Sequence, residues 1–196
     1  IPNPKRQWNK TLESAPARLS LGSYMILANL GSVMSDCLGT DEFDGETAKA
    51  VKTVMELFHS DEHKVIFENV NPDGTFDLES CEGRFINPGH GLESMWFILK
   101  YAEKVGDEQL ISRACTYIDE LFAFGTDKEY GGIYYFMDVL GKPHLELQHD
   151  MKLWWPHNEI VIASLMALRD TKEEYRVIPV LEWIENDDSL SGVFGY

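Results

Sequence analysis

The chain has 196 residues, of which 44% are hydrophobic and 12% aromatic, so it is long and apolar enough to bury the core of one domain. It carries 33 acidic against 17 basic residues, and the net charge of -16 argues against nucleic acid or an anionic membrane as a partner. No stretch resembles a membrane span or a secretion signal, so a cytoplasmic protein is expected. Cys37, Cys81 and Cys115 are widely spaced, which predicts reduced thiols that mostly serve packing.

The first part of the chain predicts a helix pair followed by a small β-loop. Residues 1–16 are rich in proline and polar residues and are expected to form an N-terminal loop or arm. Helical periodicity predicts helices over residues 17–37 and 46–58, with Gly39 ending the first and two glycines, Gly22 and Gly31, allowing close packing. A strand at 64–70, a turn at 71–74 and a return strand at 75–77 are expected to follow.

The same order of elements then recurs. Helices predicted over residues 88–105 and 108–124 precede a glycine-aromatic strand at 130–136, which turns at 140–142. A third pair follows, with a nearly all-apolar helix over 156–168 and a helix over 173–184 that Pro179 is expected to kink. The loop glycines Gly74, Gly132 and Gly192 are about 60 residues apart, which indicates an internal repeat.

Three such units predict an all-α fold of helical hairpins with short β-loops, because a single unit cannot bury both faces of its helices. A helix that is apolar on every side must be covered on every side, which favours a closed α/α toroid over an open solenoid. A toroid of this kind takes about six hairpins. We therefore expect residues 1–196 to form one partial barrel domain.

The most informative stretch is the predicted start of the third helix. Asn87 is a favoured N-cap residue, and Pro88 suits the first helical position. His90 and Glu93 follow three residues apart, so both lie on one face near the helix N-terminus. An imidazole and a carboxylate are therefore expected together at the mouth of the fold.

A second helix start, at residues 152–159, carries Lys152, Trp155, His157 and Glu159. An indole face suits the C–H face of a sugar ring, while carboxylates and imidazoles bond its hydroxyl groups. The two helix starts together predict a sugar-binding mouth. Core packing is the expectation for one member of the Trp154–Trp155 pair, and an ion-paired Lys152 is the alternative to a substrate contact.

The remaining histidines carry no comparable signal. His59, His63, His144 and His149 lack a helix-start context and are expected on the surface or in loops. No HExxH-like spacing is present, so no metal site is predicted.

These motifs carry a resemblance to a known family. Residues 87–93 with Trp96, and residues 152–159, resemble the two hallmark motifs of the N-acylglucosamine 2-epimerase family, and residues 130–136 are similar to its Gly-Gly-aromatic loop. The resemblance implies an (α/α)6 barrel, of which this chain resembles the middle and later part. It also implies a sugar 2-epimerase.

The resemblance implies a role for each motif residue. His90 would be one of two general acid/base groups that take or return the proton at sugar C2, and Glu93 would bind the substrate and support His90. The family's substrate-contacting residues match Trp155 and Glu159, with Lys152 and His157 in the same mouth. The second acid/base histidine and an arginine of the family's site are expected outside residues 1–196.

Specificity and partners also follow from the resemblance. The cellobiose-converting members of the family resemble each other in having a histidine on the helix that corresponds to residues 19–30. This chain has no histidine there, so the resemblance favours the branch that includes renin-binding protein. That branch implies N-acetylglucosamine and N-acetylmannosamine as substrates, no cofactor for the chemistry, a nucleotide such as ATP as an activator, and a homodimer. An aldose–ketose isomerase, an inverting glycosidase that uses Glu93 and Glu159, and a truncated non-catalytic relative that binds a protein are the alternatives.

Overall fold

The computed structural model describes residues 16–186, with side chains described as far as residue 182. The predicted arm before Pro16 and the predicted loop at Gly192 lie outside this part of the chain. The described part contains six α-helices: α1 (Leu21–Leu38), α2 (Asp44–Thr53), α3 (Pro88–Val105), α4 (Glu108–Gly125), α5 (Trp154–Thr171) and α6 (Ile178–Asn186). None of these helices is long and apolar enough to cross a membrane.

The helices pair as three hairpins, α1 with α2, α3 with α4, and α5 with α6. The third helix also packs against both α1 and α5, so the first helices of the hairpins lie side by side in one layer. Each of them is backed by its own hairpin partner. This is the α/α arrangement that the repeat predicts, and α3 is the only one of the three first helices with described neighbours on both sides.

The core follows the helix–helix contacts around α3. Leu92, Met95 and Leu99 lie on one stripe of α3 and are fully buried, as are Ile118 and Leu121 of α4. Burial of each such side chain contributes about 1.5–3 kcal/mol. The central hairpin therefore contributes a large part of the described core.

Helices at the two sides of the layer expose apolar side chains within this chain. On α1, Ile26 is 50% and Leu30 is 51% exposed, and on α5 Leu165 is 49% exposed. The expectation that the apolar helix after Trp155 is covered on every side is therefore not met by the described residues. The reason is geometric, because only α3 has a first-layer neighbour on each side.

Six two-residue strands form three antiparallel pairs between the helices. They are β1 (Leu19–Ser20) with β4 (Asn69–Val70), β2 (His59–Ser60) with β3 (Val65–Ile66), and β5 (Phe85–Ile86) with β6 (Met137–Asp138). The last pair leads directly into α3. It is held by a buried ion pair in which Arg84 Nε donates to Asp138 Oδ2 at 2.8 Å.

Three predicted strand arrangements are wrong. The predicted strand at 64–70 is split, because β3 pairs with β2 whereas β4 pairs with β1. Residues 75–77 form no return strand, since the turn closes locally through the Asn71 N–H bond to the Thr75 carbonyl. Residues 130–136 contain only an isolated bridge between Thr126 and Ile133. Of these three cases, only the split of the first strand depends on a partner distant in the sequence, β1 for β4.

Two helix predictions also need correction. The second predicted helix ends at Thr53 and continues as a π-helical turn, Val54–Phe58. A 3₁₀ turn, Glu174–Arg176, precedes α6, so Pro179 is the second residue of a new helix and does not kink a longer one. Proline is tolerated in the first helical turn because its missing N–H has no partner to lose there.

The thiols and glycines are partly as predicted. All three cysteines are free, but only Cys115 is buried, and Cys37 is exposed. Gly39 ends α1 with a left-handed backbone, φ 61°, as expected. The close packing expected at both Gly22 and Gly31 occurs only at Gly31, where a Cβ atom would overlap the hydroxyl group of Thr47 on α2.

We expect Gly31→Ala to destabilise the protein by about 1–3 kcal/mol, because α1 and α2 would have to separate. The Thr47 hydroxyl cannot easily move away, since it donates to the Phe43 carbonyl at 2.9 Å. The matched control is Gly22→Ala in the same helix, whose Cβ would approach only Ser20 Oγ, at 4.0 Å. Urea unfolding of both variants measures the difference, and equal stabilities would contradict the assigned contact.

Candidate functional site

The site is built on the first turn of α3. Asn87 is its N-cap, as predicted, and its side chain accepts a hydrogen bond from the His90 backbone N–H at 3.2 Å. Two glycines of this turn allow close approach of neighbours. A Cβ atom at Gly89 would lie 2.6 Å from the Trp155 ring, and one at Gly91 would lie 2.9 Å from Leu121. The missing side chains let α4 and α5 pack directly against the turn that carries His90.

The start of α5 supplies an aromatic wall beside His90. The ring centroids of His90 and Trp155 are 5.3 Å apart, and Tyr135 meets Trp155 edge-on at 5.9 Å. Trp155 is half-buried, whereas Trp154 is 62% exposed. The expectation that one of these two tryptophans packs in the core is therefore wrong, because the helix start places both near the open end of the hairpins.

A carboxylate that the sequence analysis missed holds the His90 ring. His90 Nδ1 lies 2.8 Å from Glu68 Oε1, and Glu68 is only 7% exposed. Glu68 follows the fully buried Val65, Ile66 and Phe67. An acidic residue in such an apolar run was the available signal, since a buried carboxylate needs a bonding partner.

Two further carboxylates face the same imidazole from equivalent helix positions. Glu93 is the sixth residue of α3 and Glu159 is the sixth residue of α5. The indole N–H of Trp96 donates to Glu159 Oε2 at 2.6 Å, which fixes that carboxylate. Both predicted glutamates are therefore brought to His90, and Trp96 orients one of them.

Burial and mutual repulsion shift the titration of these two groups. Burial raises the pKa of Glu93, and the nearby charge of Glu159 raises it further. Burial also raises the pKa of Glu159, although the Trp96 hydrogen bond and the charge of His90 oppose the shift. The N-termini of α3 and α5, which are the positive ends of the helix dipoles, lie on the same side of the hairpins as these carboxylates and favour their ionised forms.

The pKa of His90 is raised above its ordinary value. Burial of the ring is the largest single effect and lowers the pKa, but the hydrogen bond and charge of Glu68 together with the charges of Glu93 and Glu159 outweigh it. The surrounding carboxylates therefore favour the imidazolium form. An imidazole that gains and loses a proton near neutral pH is suited to general acid and general base catalysis.

The structure places His157 beneath the mouth, where both ring nitrogens are engaged. It is 3% exposed, its Nδ1 lies 2.6 Å from the Leu153 carbonyl, and its Nε2 accepts the Ile133 N–H at 3.1 Å. A Cβ atom at Gly132, which has φ 76°, would lie 2.7 Å from this Nε2 atom. His157 thus anchors the Gly-Gly-aromatic loop to α5.

Lys152 braces the same loop through an ion pair. Its Nζ atom lies 2.6 Å from Asp127 Oδ2 and 4.0 Å from the centroid of the Tyr134 ring. Asp127 is buried and also accepts the backbone N–H groups of Glu129 and Tyr130. The ion-paired alternative from the sequence analysis therefore describes Lys152 in this structure.

The remaining histidines divide into two groups. His144 and His149 lie in the loop after β6, as expected, with ring centroids 5.5 Å apart. The surface prediction for His59 is wrong: its side chain is 4% exposed, stacks on Tyr117, and bonds Glu120 Oε2 at 2.7 Å. Within residues 16–182, no group of three or more His, Cys, Asp or Glu side chains could hold a metal ion.

Comparison with solved structures supports the fold. The chain superposes on a D-mannose isomerase with a TM-score of 0.70 at 14% identity, over 86% of this chain and 44% of that one. It also superposes on the cellobiose 2-epimerase of Bacillus thermoamylovorans B4167 with a TM-score of 0.68 at 14% identity, over 85% and 41% of the two chains. At these identities the likeness concerns the fold, which is the α/α barrel.

Sequence comparison defines the family. The N-acylglucosamine 2-epimerase of Bos taurus is 37% identical over 168 residues, which are 82% of this chain and 38% of the relative. That of Mus musculus is 45% identical over 112 residues, or 55% of this chain and 26% of the relative. The chain thus spans well under half the length of these relatives. The family model for N-acylglucosamine 2-epimerase (GlcNAc 2-epimerase) matches residues 5–184, and the chain belongs to this family.

Proposed function

We propose that the protein is a sugar 2-epimerase that interconverts N-acetylglucosamine and N-acetylmannosamine, with His90 as one of its two acid/base groups. The observation that carries the proposal is the His90 imidazole, bonded to Glu68 at a helix start beside Trp155. The names of the relatives, which are 34–45% identical, support the substrate class. Because the chain covers only part of their length, the activity is proposed for the complete protein.

The chemistry requires a proton to leave one face of C2 and to return on the other. In the ring-opened sugar the C2–H bond is weakly acidic, because its electrons delocalise into the adjacent carbonyl group. Neutral His90 accepts this proton in one direction, and the imidazolium returns it in the other. A second acid/base group on the opposite face is needed, and we propose that it comes from outside residues 1–196.

The other side chains of the mouth bind the sugar. Trp155 offers an apolar face to the C–H groups of the substrate, and Glu93 and Glu159 accept hydrogen bonds from its hydroxyl groups. The three carboxylates around His90 disfavour an anionic sugar, which is consistent with a neutral N-acyl sugar as substrate. Lys152 and His157 act by holding the loop that carries Tyr134 and Tyr135.

The proposal assigns no cofactor to the chemistry, since proton transfer to and from imidazole suffices. We draw three separate proposals from the family. They are that a nucleotide such as ATP acts as an activator, that the protein forms a homodimer, and that it is located in the cytoplasm. Each is open to direct measurement on the complete protein, by activity with added nucleotide, by sedimentation and by localisation.

Incubation of the complete protein with N-acetylglucosamine in deuterated water tests the reaction. We expect N-acetylmannosamine to form with deuterium at C2, as measured by NMR. A ketose product would identify an aldose–ketose isomerase instead, and release of reducing ends from an oligosaccharide would identify a glycosidase. Absence of both turnover and C2 exchange would favour the non-catalytic, protein-binding alternative.

We expect His90→Asn to reduce C2 exchange by a factor of about 10²–10⁴, the usual contribution of a general acid or base. Asparagine keeps a polar side chain at the mouth but cannot carry the proton. His144→Asn, in the loop after β6, is the control and should keep wild-type exchange. Exchange at the wild-type rate in the His90 variant would contradict the assignment.

A third variant, Trp96→Phe, tests the orientation of Glu159. Phenylalanine keeps most of the ring packing but removes the indole N–H that bonds the carboxylate at 2.6 Å. A hydrogen bond to a charged group contributes about 1.5–3 kcal/mol, and this one holds Glu159 rather than the substrate, so we expect its loss to raise KM by up to about tenfold. Trp154→Phe is the matched control because Trp154 is exposed, and equal KM values for both variants would argue against a substrate role for Glu159.

A further inference from the structure

We propose that Glu68 is the positioning residue of the acid/base group: it keeps the proton of His90 on Nδ1 and so reserves Nε2 for exchange with the substrate. The inference rests on the proposed function for its catalytic consequence. Its structural content, which nitrogen carries the proton and why, concerns this chain alone.

The chemistry of the pair determines the direction of the hydrogen bond. Nδ1 of His90 and Oε1 of Glu68 are 2.8 Å apart, and an ionised carboxylate can only accept. Nδ1 must therefore carry the hydrogen in the neutral ring as well as in the imidazolium. The tautomer of an imidazole is set by the bond that one of its nitrogens makes, which leaves Nε2 as the basic atom of the neutral ring.

Exposure separates the two sides of the ring. The Glu68 side chain is 9% exposed, whereas the His90 side chain is 33% exposed. The Nδ1 edge is therefore turned towards the protein, and we infer that the accessible edge carries Nε2. Trp155 lies beside the ring, with the two ring centroids 5.3 Å apart, so a sugar that packs on the indole would meet this edge.

The backbone fixes Glu68 before any substrate binds. Its carbonyl accepts the Leu21 N–H at the start of α1 at 2.9 Å, and its own N–H donates to the Phe85 carbonyl at 3.3 Å. Phe85 belongs to β5, the strand that leads through Asn87 into α3. The backbone of Glu68 is thus hydrogen-bonded to the segment that leads to His90, which positions the carboxylate beside the imidazole ring.

The other charged groups that face His90 have different tasks. Glu93 reaches it from α3 and Glu159 from α5, and both act on the ring through their charge. Glu159 is also bonded to Trp96. Among the carboxylates described around His90, Glu68 is the one in hydrogen-bond contact with the ring. Loss of its charge must therefore lower the pKa of His90 and weaken the hydrogen bond that holds the ring.

The test uses histidine-selective ¹⁵N labelling of the complete protein, with His90→Asn to assign the signal. We expect the neutral His90 ring to be protonated at Nδ1 in the wild-type protein. In Glu68→Gln we expect the pKa of His90 to fall, because the negative charge beside the ring is gone. A neutral wild-type ring protonated at Nε2 would overturn the proposal without any variant.

Kinetics measure the catalytic consequence. We expect Glu68→Gln to lower kcat by about 10- to 100-fold, the usual effect of losing an orienting group, with little change in KM. The pH profile should move to lower pH together with the pKa of His90. Glu68→Asp, which keeps the charge on a shorter side chain, should restore the wild-type pH dependence in part. Wild-type kcat and pH profile in Glu68→Gln would overturn the role.

Glu120→Gln is the matched control, because Glu120 forms a comparable glutamate–histidine pair with His59, at 2.7 Å, away from the imidazole of His90. It should leave the pH profile unchanged even if stability falls. If the protein proves to have no epimerase activity, the proposed function fails, whereas the tautomer and pKa of His90 still decide the positioning by Glu68.

Discussion

The close approach of three helices at the first turn of α3 is the constraint on which the rest of the site depends. Gly89 and Gly91 leave room for Trp155 of α5 and Leu121 of α4 to pack against the backbone of this turn. With larger residues the three helices would have to separate. The imidazole of His90 points towards the loop that carries Glu68 and towards the Trp155 ring.

The negative charge of the carboxylates around His90 is the second organising feature of the site. Glu68, Glu93 and Glu159 arrive from a loop, from α3 and from α5, and all three favour the protonated form of one imidazole. Carboxylates that repel each other are costly to bring together in a partly buried place. Here the helix N-termini, the imidazolium and the Trp96 indole N–H offset part of that cost, although the pKa values of Glu93 and Glu159 remain raised.

Several residues support the site without facing the imidazole of His90. Lys152, Asp127 and His157 hold the Gly-Gly-aromatic loop, while the buried Arg84–Asp138 pair holds the strands that lead into α3. A motif residue can therefore serve a family's function without facing the substrate. His157 illustrates the point, because it lies within a hallmark motif and yet has both ring nitrogens engaged with backbone groups.

The sequence by itself determined the helical hairpins, the N-cap at Asn87 and the placement of His90, Glu93, Trp155 and Glu159 at two helix starts, because periodicity, capping and turn chemistry are local properties. It did not reveal Glu68, the burial of His59 or the pairing of the short strands. Most of these depend on a partner far away in the chain, as Glu68 depends on His90, His59 on Glu120 and β4 on β1. Only the tertiary structure decided which carboxylate bonds the imidazole, since contacts between distant segments leave no spacing in the sequence to read.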